Sequence, residues 1–295
     1  MLTSSPSNMS ASVHEPPRLQ FSPQRDDDKI KVKQQKQSKQ VYGNNNIDRF
    51  VPDRFICWGD HVNEVLRKGD LLIKETLAID TKGFVRVLFS GPEKSGKTRL
   101  AALIAKKTQF PCIKICSPQL MFGYTESQTN DEIKNIFESA SKSFLCCIFM
   151  DDIERLMYYS PLGPRYSTII LQSLLTLFGQ APLYGNRLLL IATTSNENFL
   201  RETGLYNCFS SFINIECLSK PEHYSTVLNV FTKLSQKEID FICSTLKEKK
   251  LGIKRLLQII DSTNQENREL QSKSVIFFSK MSSDFPNILF QKLKE

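Results

Sequence analysis

Five short apolar runs, each followed by a segment with helical periodicity, dominate the middle of the chain. The runs are rich in β-branched, aromatic and other large apolar residues, and few polar positions interrupt them. Continuous apolar runs of this length are typical of strands in a parallel sheet that is covered by helices on both faces. We therefore predict an α/β fold with five parallel strands. The predicted strands are Phe84–Ser90, Pro111–Cys116, Phe144–Met150, Arg187–Thr193 and Phe212–Cys217.

The pattern changes after Ser219-Lys220-Pro221, where the strand signals end and helical patterns take over. Residues 1–50 differ from both parts, because they are rich in Ser, Pro, Gln, Asn and Lys and have too few apolar residues for a core. We expect a disordered tail over 1–50, an α/β core over 51–220 and a small all-helical domain over 221–295. The predicted helices of the last part are those around Tyr224–Phe231, Lys237–Lys247, Ile253–Ser262 and the C-terminus.

The formal net charge of +8 does not indicate a nucleic-acid partner, because of where the charge lies. Residues 1–50 contain eight Lys and Arg against five Asp and Glu, so +3 belongs to the tail and +5 is spread over the rest. The densest basic cluster, Lys29–Lys39, lies in a Gln-rich stretch and is interpreted as solvated tail. The alternative is an electrostatic tether to an acidic partner or to anionic lipid, which would give peripheral membrane association.

Cysteine usage and hydropathy favour an intracellular protein. The eight cysteines include no C-x-x-C pair and the chain has three histidines, so neither a disulfide framework nor a zinc site is expected. No apolar run of the sequence reaches the length of a membrane span, and the Ser- and Pro-rich N-terminus does not resemble a signal segment. We expect a cytoplasmic location.

The stretch from Gly91 to Thr98 reads G-x-x-x-x-G-K-T and carries the clearest functional signal. A predicted strand precedes it and a helix-favouring segment follows, as a phosphate-binding loop requires. Backbone N–H groups of such a loop and the N-terminus of its helix bind phosphate oxygens. Lys97 would reach the β- and γ-phosphates of ATP, and the Thr98 hydroxyl would coordinate Mg²⁺. The residues expected to contact the nucleotide here are Gly91, Pro92, Glu93, Lys94, Ser95, Gly96, Lys97, Thr98 and Arg99.

A pair of acidic residues supports the assignment of the phosphate-binding loop. The predicted strand Phe144–Met150 ends in Asp151-Asp152, about where a triphosphatase places the carboxylate that organises Mg²⁺. Asp151 would hold Mg²⁺, and Asp152 would polarise the attacking water. Asp152 is one methylene shorter than the usual Glu, which predicts slow hydrolysis. An acidic cap on a helix that begins at Ile153 is compatible with either role.

Several short stretches, in the same order along the chain, resemble the second ATPase domain of the N-ethylmaleimide-sensitive factor family, which are vesicle-fusing ATPases of the AAA+ class. The resemblance begins near Phe55 and covers roughly four-fifths of the chain. It implies a P-loop αβα sandwich with a five-stranded parallel sheet and a helical lid, with the nucleotide between them, and a ring of six subunits. The matching stretches are 56–60, 91–98, 111–118, 151–156, 163–165, 192–195 and 252–257.

The resemblance also implies roles for residues outside the phosphate loop. Ile56 and Cys57 would contact adenine through their backbone, and Ser195 falls where AAA+ proteins carry a polar sensor residue, most often Asn. Lys254 matches the lid residue that reaches the γ-phosphate. Lys254 is alternatively a solvated lysine at a basic helix start, but the match over 252–257 favours the sensor role.

Departures from the family pattern are equally informative. The stretch Leu205–Phe212 contains no arginine where many AAA+ domains carry the arginine that acts on a neighbouring subunit, so turnover is again expected to be slow. Ser95 stands where the family's other ATPase domain has its reactive cysteine. Met121–Tyr124 falls at a central-pore loop, although an ordinary surface loop explains this segment equally well.

Two functions therefore remain open at this level. The first is an ATPase of vesicle-mediated transport that disassembles SNARE complexes within a larger ring, on Golgi or vesicle membranes. It would act as a homo-hexamer or in a mixed ring with longer family members, and would reach SNARE complexes through adaptor proteins if the missing domains are supplied. The second is a non-catalytic, ATP-dependent ring scaffold. A P-loop small-molecule kinase explains fewer of the matching stretches.

Overall fold

Five strands form one parallel sheet in the order β2-β3-β4-β1-β5, which confirms the predicted fold class. The computed structural model describes residues 46–51, 55–78, 83–162, 165–183, 185–232, 234–247, 249–265, 277 and 279–281. In the central pairs, β1 lies parallel to both β4 and β5, and β3 lies parallel to β2 and β4. The strands are β1 (Phe84–Ser90), β2 (Cys112–Cys116), β3 (Leu145–Met150), β4 (Arg187–Thr194) and β5 (Ser211–Asn214).

The fifth strand is the one whose predicted bounds differ most from the structure. It ends at Asn214 rather than Cys217. β5 pairs with β1, and the last link is the Ile215 N–H, which donates to the Ser90 carbonyl at 2.7 Å. β1 ends at Ser90 because the chain turns there into the phosphate loop, so the residues after Ile215 have no neighbouring strand to pair with.

Side chains of alternate residues along the strands enter two separate apolar clusters, one on each face of the sheet. In β4, Leu189 and Ile191 join the cluster covered by the helices at 60–77 and 97–107, whereas Leu188 and Leu190 join the cluster covered by the helices at 126–141 and 168–179. This is the predicted αβα sandwich. Within the described ranges, none of the helices combines the length and apolar composition of a membrane span. The core helices are α1 (Asp60–Leu77), α2 (Lys97–Lys107), α3 (Glu126–Ser141), α4 (Ile153–Leu156), α5 (Thr168–Gly179) and α6 (Glu197–Glu202).

The part that follows the sheet is helical, and its apolar side chains join the α1–α2 face of the core. Its start is fixed locally, since Pro221 occupies the first turn of its first helix. The buried Tyr224 hydroxyl lies 2.8 Å and 2.7 Å from the carbonyl oxygens of Leu218 and Lys249, which ties the segment before Pro221 to the loop before Ile253. The prediction of a helix at the C-terminus falls largely outside the described residues. The lid helices are α7 (Pro221–Phe231), α8 (Gln236–Thr245) and α9 (Ile253–Gln265).

A short N-terminal segment also belongs to the core. Asn46–Arg49 form a 3₁₀ helix. Ile47 and Phe50 are buried, and the Phe50 ring meets the Phe149 ring edge-on at a centroid distance of 5.4 Å. Folded structure therefore begins before residue 51, and the predicted tail of 1–50 extends too far at its C-terminal end. Residues 1–45 of that tail lie outside the described residues.

Candidate functional site

A cleft of about 910 Å³ lies between the carboxyl edge of the sheet and the lid. Binding sites of parallel α/β sheets form at this edge, because strand ends and helix N-termini meet there. The volume is at the upper end of what small-molecule sites usually offer, about 300–1,000 Å³. Its wall combines charged residues from the strand ends and α2 with aromatic and aliphatic residues from the N-terminal segment and the lid.

The phosphate loop joins β1 to α2 and is held by close backbone packing. Gly91 has φ of 148° and a Cβ there would collide with the Ile215 carbonyl oxygen, so glycine is required. Lys94 has φ of 62°, which is uncommon for a residue with a side chain and costs conformational energy. The loop is thus held in a strained shape at the N-terminus of α2, where backbone N–H groups favour anions.

Lys97 is the first residue of α2 and its side chain is buried within the loop. Its Nζ donates to the Pro92 carbonyl at 2.6 Å. Burial lowers the pKa of the Lys97 ammonium, and the carboxylates of Asp152, Glu154 and Asp151 oppose that shift. The ammonium therefore lies among three acidic groups, in a site that is desolvated enough to strengthen its attraction for a phosphate.

Asp151 follows β3 and is held in place by β4. Its Oδ1 accepts a hydrogen bond from the Thr193 hydroxyl at 2.8 Å, and its own N–H donates to the Cys116 carbonyl at 2.8 Å. Burial, with the negative charge of Asp152, raises the pKa of the Asp151 carboxyl to about 6, although the hydroxyls of Thr193 and Thr98 oppose the shift by hydrogen bonding. A buried carboxylate beside a threonine hydroxyl is a donor set that suits Mg²⁺.

Asp152 adopts a left-handed backbone conformation, with φ of 47°. Its N–H donates to the Thr193 hydroxyl at 2.9 Å, so the same threonine fixes both acidic residues. Its side chain is 27% exposed and its Oδ2 lies 4.0 Å from Nη1 of Arg155. Asp152 is the residue that precedes α4, but its side chain makes no capping hydrogen bond to that helix, so a capping role does not explain this acid.

Glu154, in the first turn of α4, is a third acidic residue of the cleft and is only 6% exposed. Its Oε1 accepts a hydrogen bond from the Ser195 N–H at 2.6 Å. Burial raises the pKa of the Glu154 carboxyl above its ordinary value, while the hydrogen bonds from the Ser195 N–H and the Thr194 hydroxyl oppose that rise. The end of β4 is thus joined to α4 through this carboxylate.

The lid contacts the phosphate loop directly. The Lys254 N–H, in the first turn of α9, donates to the Lys94 carbonyl at 3.0 Å. This approach needs Gly252, because a Cβ there would lie 2.6 Å from the same carbonyl oxygen. Lys254 itself is exposed and lines the cleft. A cation on the lid and the ammonium of Lys97 therefore share one cleft, from opposite walls.

The other end of the cleft is apolar and aromatic. The segment before α1 contributes Phe50, Phe55, Ile56 and Trp58, and the lid contributes Phe231 and Leu257. A planar base has the shape and polarity for such a wall. Cys57 does not line the cleft, since its Sγ donates to the Asn63 side chain at 2.9 Å.

Most of the predicted site residues come together in this cleft. Four predicted residues do not line the cleft, namely Cys57, Gly91, Pro92 and Ser95. Gly91 packs on Ile215, the Pro92 carbonyl accepts a hydrogen bond from Lys97, and Ser95 is buried. The predicted residues that line the cleft are Ile56, Glu93, Lys94, Gly96, Lys97, Thr98, Arg99, Asp151, Asp152, Ser195 and Lys254.

Sequence reasoning did not find several residues of the site. Glu154 carried a usable signal, because it lies three residues after Asp151 at a helix start. Thr193 lies at the end of an apolar run and is buried, and it hydrogen bonds to Asp151 and Asp152. The aromatic residues carried no local signal. The cleft residues absent from the predictions are Arg49, Phe50, Phe55, Trp58, Leu100, Gln119, Glu154, Arg155, Tyr159, Pro161, Asn196, Phe231, Ile253 and Leu257.

The residues present fit a nucleoside triphosphate with Mg²⁺. Lys97 and Lys254 supply cations from two walls, and the α2 N-terminus supplies N–H groups. Thr98 and Asp151 supply hard oxygen ligands that would hold the metal. When bound, Mg²⁺ would neutralise charge on the phosphates. The apolar end of the cleft leaves room for a base.

Comparisons with known proteins agree with this geometry. The family model for the ATPase family associated with various cellular activities (AAA) matches residues 87–217. The model for the AAA+ ATPase lid domain of NSF matches residues 217–284. The two matches meet at residue 217, between β5 and the lid helices.

Individual proteins are also similar to this chain, over about three quarters of its length. The vesicle-fusing ATPase of Caenorhabditis elegans is 36% identical over 227 residues, which are 75% of this chain and 28% of that protein. The vesicle-fusing ATPase of Dictyostelium discoideum is 32% identical over 225 residues, and the vesicular-fusion protein SEC18 of Saccharomyces cerevisiae is 31% identical over 225 residues; each covers 75% of this chain and 30% of the relative. The chain spans less than a third of the length of these relatives.

Proposed function

Because the chain belongs to the AAA family of ATPases and carries an NSF-type lid, we propose that it binds Mg-ATP between core and lid and uses ATP mainly to hold subunits in a ring, with slow hydrolysis. The observation that carries this proposal is the contact between Lys254 and the phosphate loop, 3.0 Å from N–H to carbonyl. A nucleotide that binds the loop also fixes the lid, and therefore favours any interface that the lid builds.

Two features support slow turnover. Asp152, at the position expected for water activation, has a short side chain that is 27% exposed. The stretch Leu205–Phe212 contains no arginine, and an arginine from a neighbouring subunit raises the rate of related enzymes by about 10³–10⁵. The nearest arginine before this stretch, Arg201, is bound to Glu197 at 2.6 Å and stacks over the Tyr206 ring at 3.6 Å, which holds it on its own subunit.

The relatives support a proposal for the cellular role. Proteins named vesicle-fusing ATPase are similar to this chain over 75% of its length, which supports a role in vesicle-mediated transport, and we place that role in the cytoplasm. The ring would contain six copies of this chain or would include longer family members. SNARE complexes would be its substrates only through adaptor proteins and domains that such longer members supply.

Turnover and assembly test the proposal separately. The purified chain should bind ATP and hydrolyse it below the usual enzyme range of about 1–10³ s⁻¹; a rate inside that range would contradict slow hydrolysis. Light scattering should show that Mg-ATP increases the particle mass of the parent chain and of Asp152→Asn, but not of Lys97→Ala. If Lys97→Ala forms rings as well as the parent chain does, nucleotide does not hold the subunits together. Assembly without any hydrolysis would favour the scaffold alternative.

A further inference from the structure

Gly59 lies between the base end of the cleft and the lid. Its backbone is extended, with φ of 167°, a conformation that any residue can adopt, so backbone geometry does not explain the glycine. The space around it does, because a Cβ on Gly59 would lie 2.8 Å from both Cδ2 and Nε2 of His223. The imidazole of His223, in the first turn of α7, therefore packs directly on the backbone that precedes α1.

Trp58 connects this contact to the site. Trp58 is 8% exposed and lines the cleft. A Cβ on Gly96 would lie 3.4 Å from the Trp58 ring and 3.0 Å from Ile253 of α9, so the indole packs on the phosphate loop beside the lid. The segment 55–59, which supplies apolar wall for the base, is thus held at one end by the phosphate loop and at the other by His223.

The surroundings of His223 favour its neutral form. The residue is half-buried, and its Nδ1 is buried with no hydrogen-bond partner within the described part of the chain. A neutral imidazole has one nitrogen without a proton, whereas an imidazolium carries an N–H at both nitrogens, so protonation would leave a buried donor unpaired. The N-termini of α1 and α7 also meet at this contact, and helix N-termini disfavour a cation.

The neighbouring charges determine how the contact depends on pH. Burial lowers the pKa of the His223 imidazole below its ordinary value, and the charges of Lys220 and His61 lower it further, while Glu222 and Asp60 oppose the shift. These four residues are the charged groups that face the ring, from α7 with its N-cap and from α1. An imidazole released into water has the ordinary pKa of about 6.5. The packed state is therefore fully favoured above pH 6.5 and loses stability relative to the released state as the pH falls below it.

We propose that neutral His223 is a positioning residue of the base end, and that its protonation releases the segment 55–59 from the lid. The ring takes up the proton after it has left Gly59, where water reaches both nitrogens, and the charged ring does not pack on Gly59 again. Acid then weakens nucleotide binding through the apolar wall rather than through the phosphates. This inference rests on the proposed binding of a nucleotide in the cleft.

Tryptophan emission tests the assignment without any nucleotide, because Trp58 is the one tryptophan of the chain. In the parent chain the emission should move to longer wavelength as the pH falls from about 7.5 to about 5.5, since release exposes the indole to water. His223→Gln has no titrating group at this position and should show the same emission at both pH values. The proposal is overturned if the parent emission does not change, or if His223→Gln shows the parent shift.

The other two histidines provide matched controls. His61→Gln should keep the transition and move its midpoint to higher pH, because the charge of His61 is one of the causes that lower the pKa of His223. His14→Gln, in the predicted tail, should leave the midpoint where it is. If either substitution removes the transition, His223 is not the group that releases the segment.

Affinity for ADP in the presence of EDTA tests the consequence for the site. Without Mg²⁺ the metal-binding role of Asp151 contributes nothing, and the ADP phosphates, which also titrate in this range, affect the parent chain and the variant alike. The ratio of the affinities at pH 7.5 and pH 5.5 should be about five- to tenfold larger for the parent chain than for His223→Gln, because one unit below its pKa an imidazole is about tenfold more often charged than neutral. Equal ratios would overturn the proposal.

A second variant keeps the histidine and removes its contact. Gly59→Ala places a Cβ 2.8 Å from the imidazole, so it should displace the ring and show at pH 7.5 the weaker ADP affinity that the parent chain shows at pH 5.5. Parent affinity with an unchanged emission transition in Gly59→Ala would overturn the proposal. If the parent chain binds no nucleotide at any pH, the proposed function fails and the positioning role fails with it. If it binds nucleotide and its emission transition persists in His223→Gln, only the role of His223 is overturned.

Discussion

The two ends of the cleft are built in different ways. The phosphate end consists of charged groups at the loop and the strand ends, namely Lys97 and the acids after β3. The Pro92 carbonyl accepts a hydrogen bond from Lys97, and the Thr193 hydroxyl donates one to Asp151. The base end consists of aromatic and aliphatic side chains such as Phe50 and Phe231, which come from the N-terminal segment and the lid. The first end is a fixed set of charges, whereas the second is a surface to which the N-terminal segment and the lid both contribute.

This difference assigns a separate task to each end. Under the proposed function, charge at the phosphate end would distinguish nucleotides by the number of phosphates. Apolar area at the base end would add affinity and join the lid and the N-terminal segment to the core through the bound base. Substitutions at the first end should therefore have larger effects on ATP binding than those at the second.

Loss of the buried ammonium is expected to have the largest effect. Lys97→Ala should weaken ATP binding by about 100-fold, which corresponds to two charge-assisted hydrogen bonds of about 1.4 kcal/mol each. A titration with a fluorescent ATP analogue measures this. Lys107→Ala, on the same helix, removes a cation that pairs with Asp70 on the surface and should leave binding unchanged. A loss of less than about tenfold for Lys97→Ala would mean that the two ends contribute similarly.

A methyl group between lid and loop should have the next largest effect. Gly252→Ala places a Cβ 2.6 Å from the Lys94 carbonyl oxygen, so the lid must move away from the loop. We expect about 1–3 kcal/mol of destabilisation and a loss of nucleotide affinity, measured by chemical unfolding and by ATP titration. Gly179→Ala is the control, because a Cβ there meets no atom within 4 Å. Unchanged stability and affinity in Gly252→Ala would show that this lid contact is not needed.

Truncation tests the base end. A chain that begins at residue 46 should bind ATP as the full chain does, whereas one that begins at residue 51 should bind about tenfold more weakly, because it lacks the apolar contact of Phe50. If both truncated chains bind ATP with the same affinity, the N-terminal segment does not contribute to the base end. Asp48→Ala is the matched control: it breaks an exposed ion pair with Lys106 of 2.7 Å, and exposed pairs contribute little.

Protonation of the metal-binding acid should have the smallest effect near neutral pH. The Asp151 carboxylate is the form that binds Mg²⁺, and its pKa is raised to about 6. Lowering the pH through 6 therefore protonates it and weakens Mg²⁺-dependent ATP binding, by about twofold at pH 6 and about tenfold one unit lower. Asp152→Asn removes one cause of the raised pKa, so its midpoint should lie at lower pH. ATP titrations at fixed Mg²⁺ across this range measure both midpoints, and equal midpoints would contradict the charge coupling.

The sequence predicts the phosphate end well because that end depends on local order along the chain. A strand, a glycine loop and a helix follow one another within 84–107, and backbone geometry fixes their relation once they form. The acids after β3 fall at the same edge because strands of a parallel sheet end together. The same reasoning predicts the five strands. Several strand ends differ from the prediction by one residue, and the end of β5 differs more, because pairing rather than residue preference decides its length.

The base end could not be predicted in this way. Phe50 and Leu257 are far apart in the sequence, and nothing local shows that they share a surface. The short helix at 46–49 was not predicted either, because residues 46 and 48 are polar, yet its Ile47 is buried by packing on the core. Glu154 is similar, since an acid in the first turn of a helix is ordinarily a solvated residue, and only the position of β4 buries it.

The N-terminal segment has a mechanical consequence. Phe50 packs on Phe149 and lines the cleft, and it belongs to the first segment of the chain that the structure describes. Tension on the segment 46–51 would load this contact, next to the site proposed for the base. A nucleotide in the cleft would resist that tension, and its departure would let the segment yield, so the load that the domain withstands would depend on which nucleotide it holds.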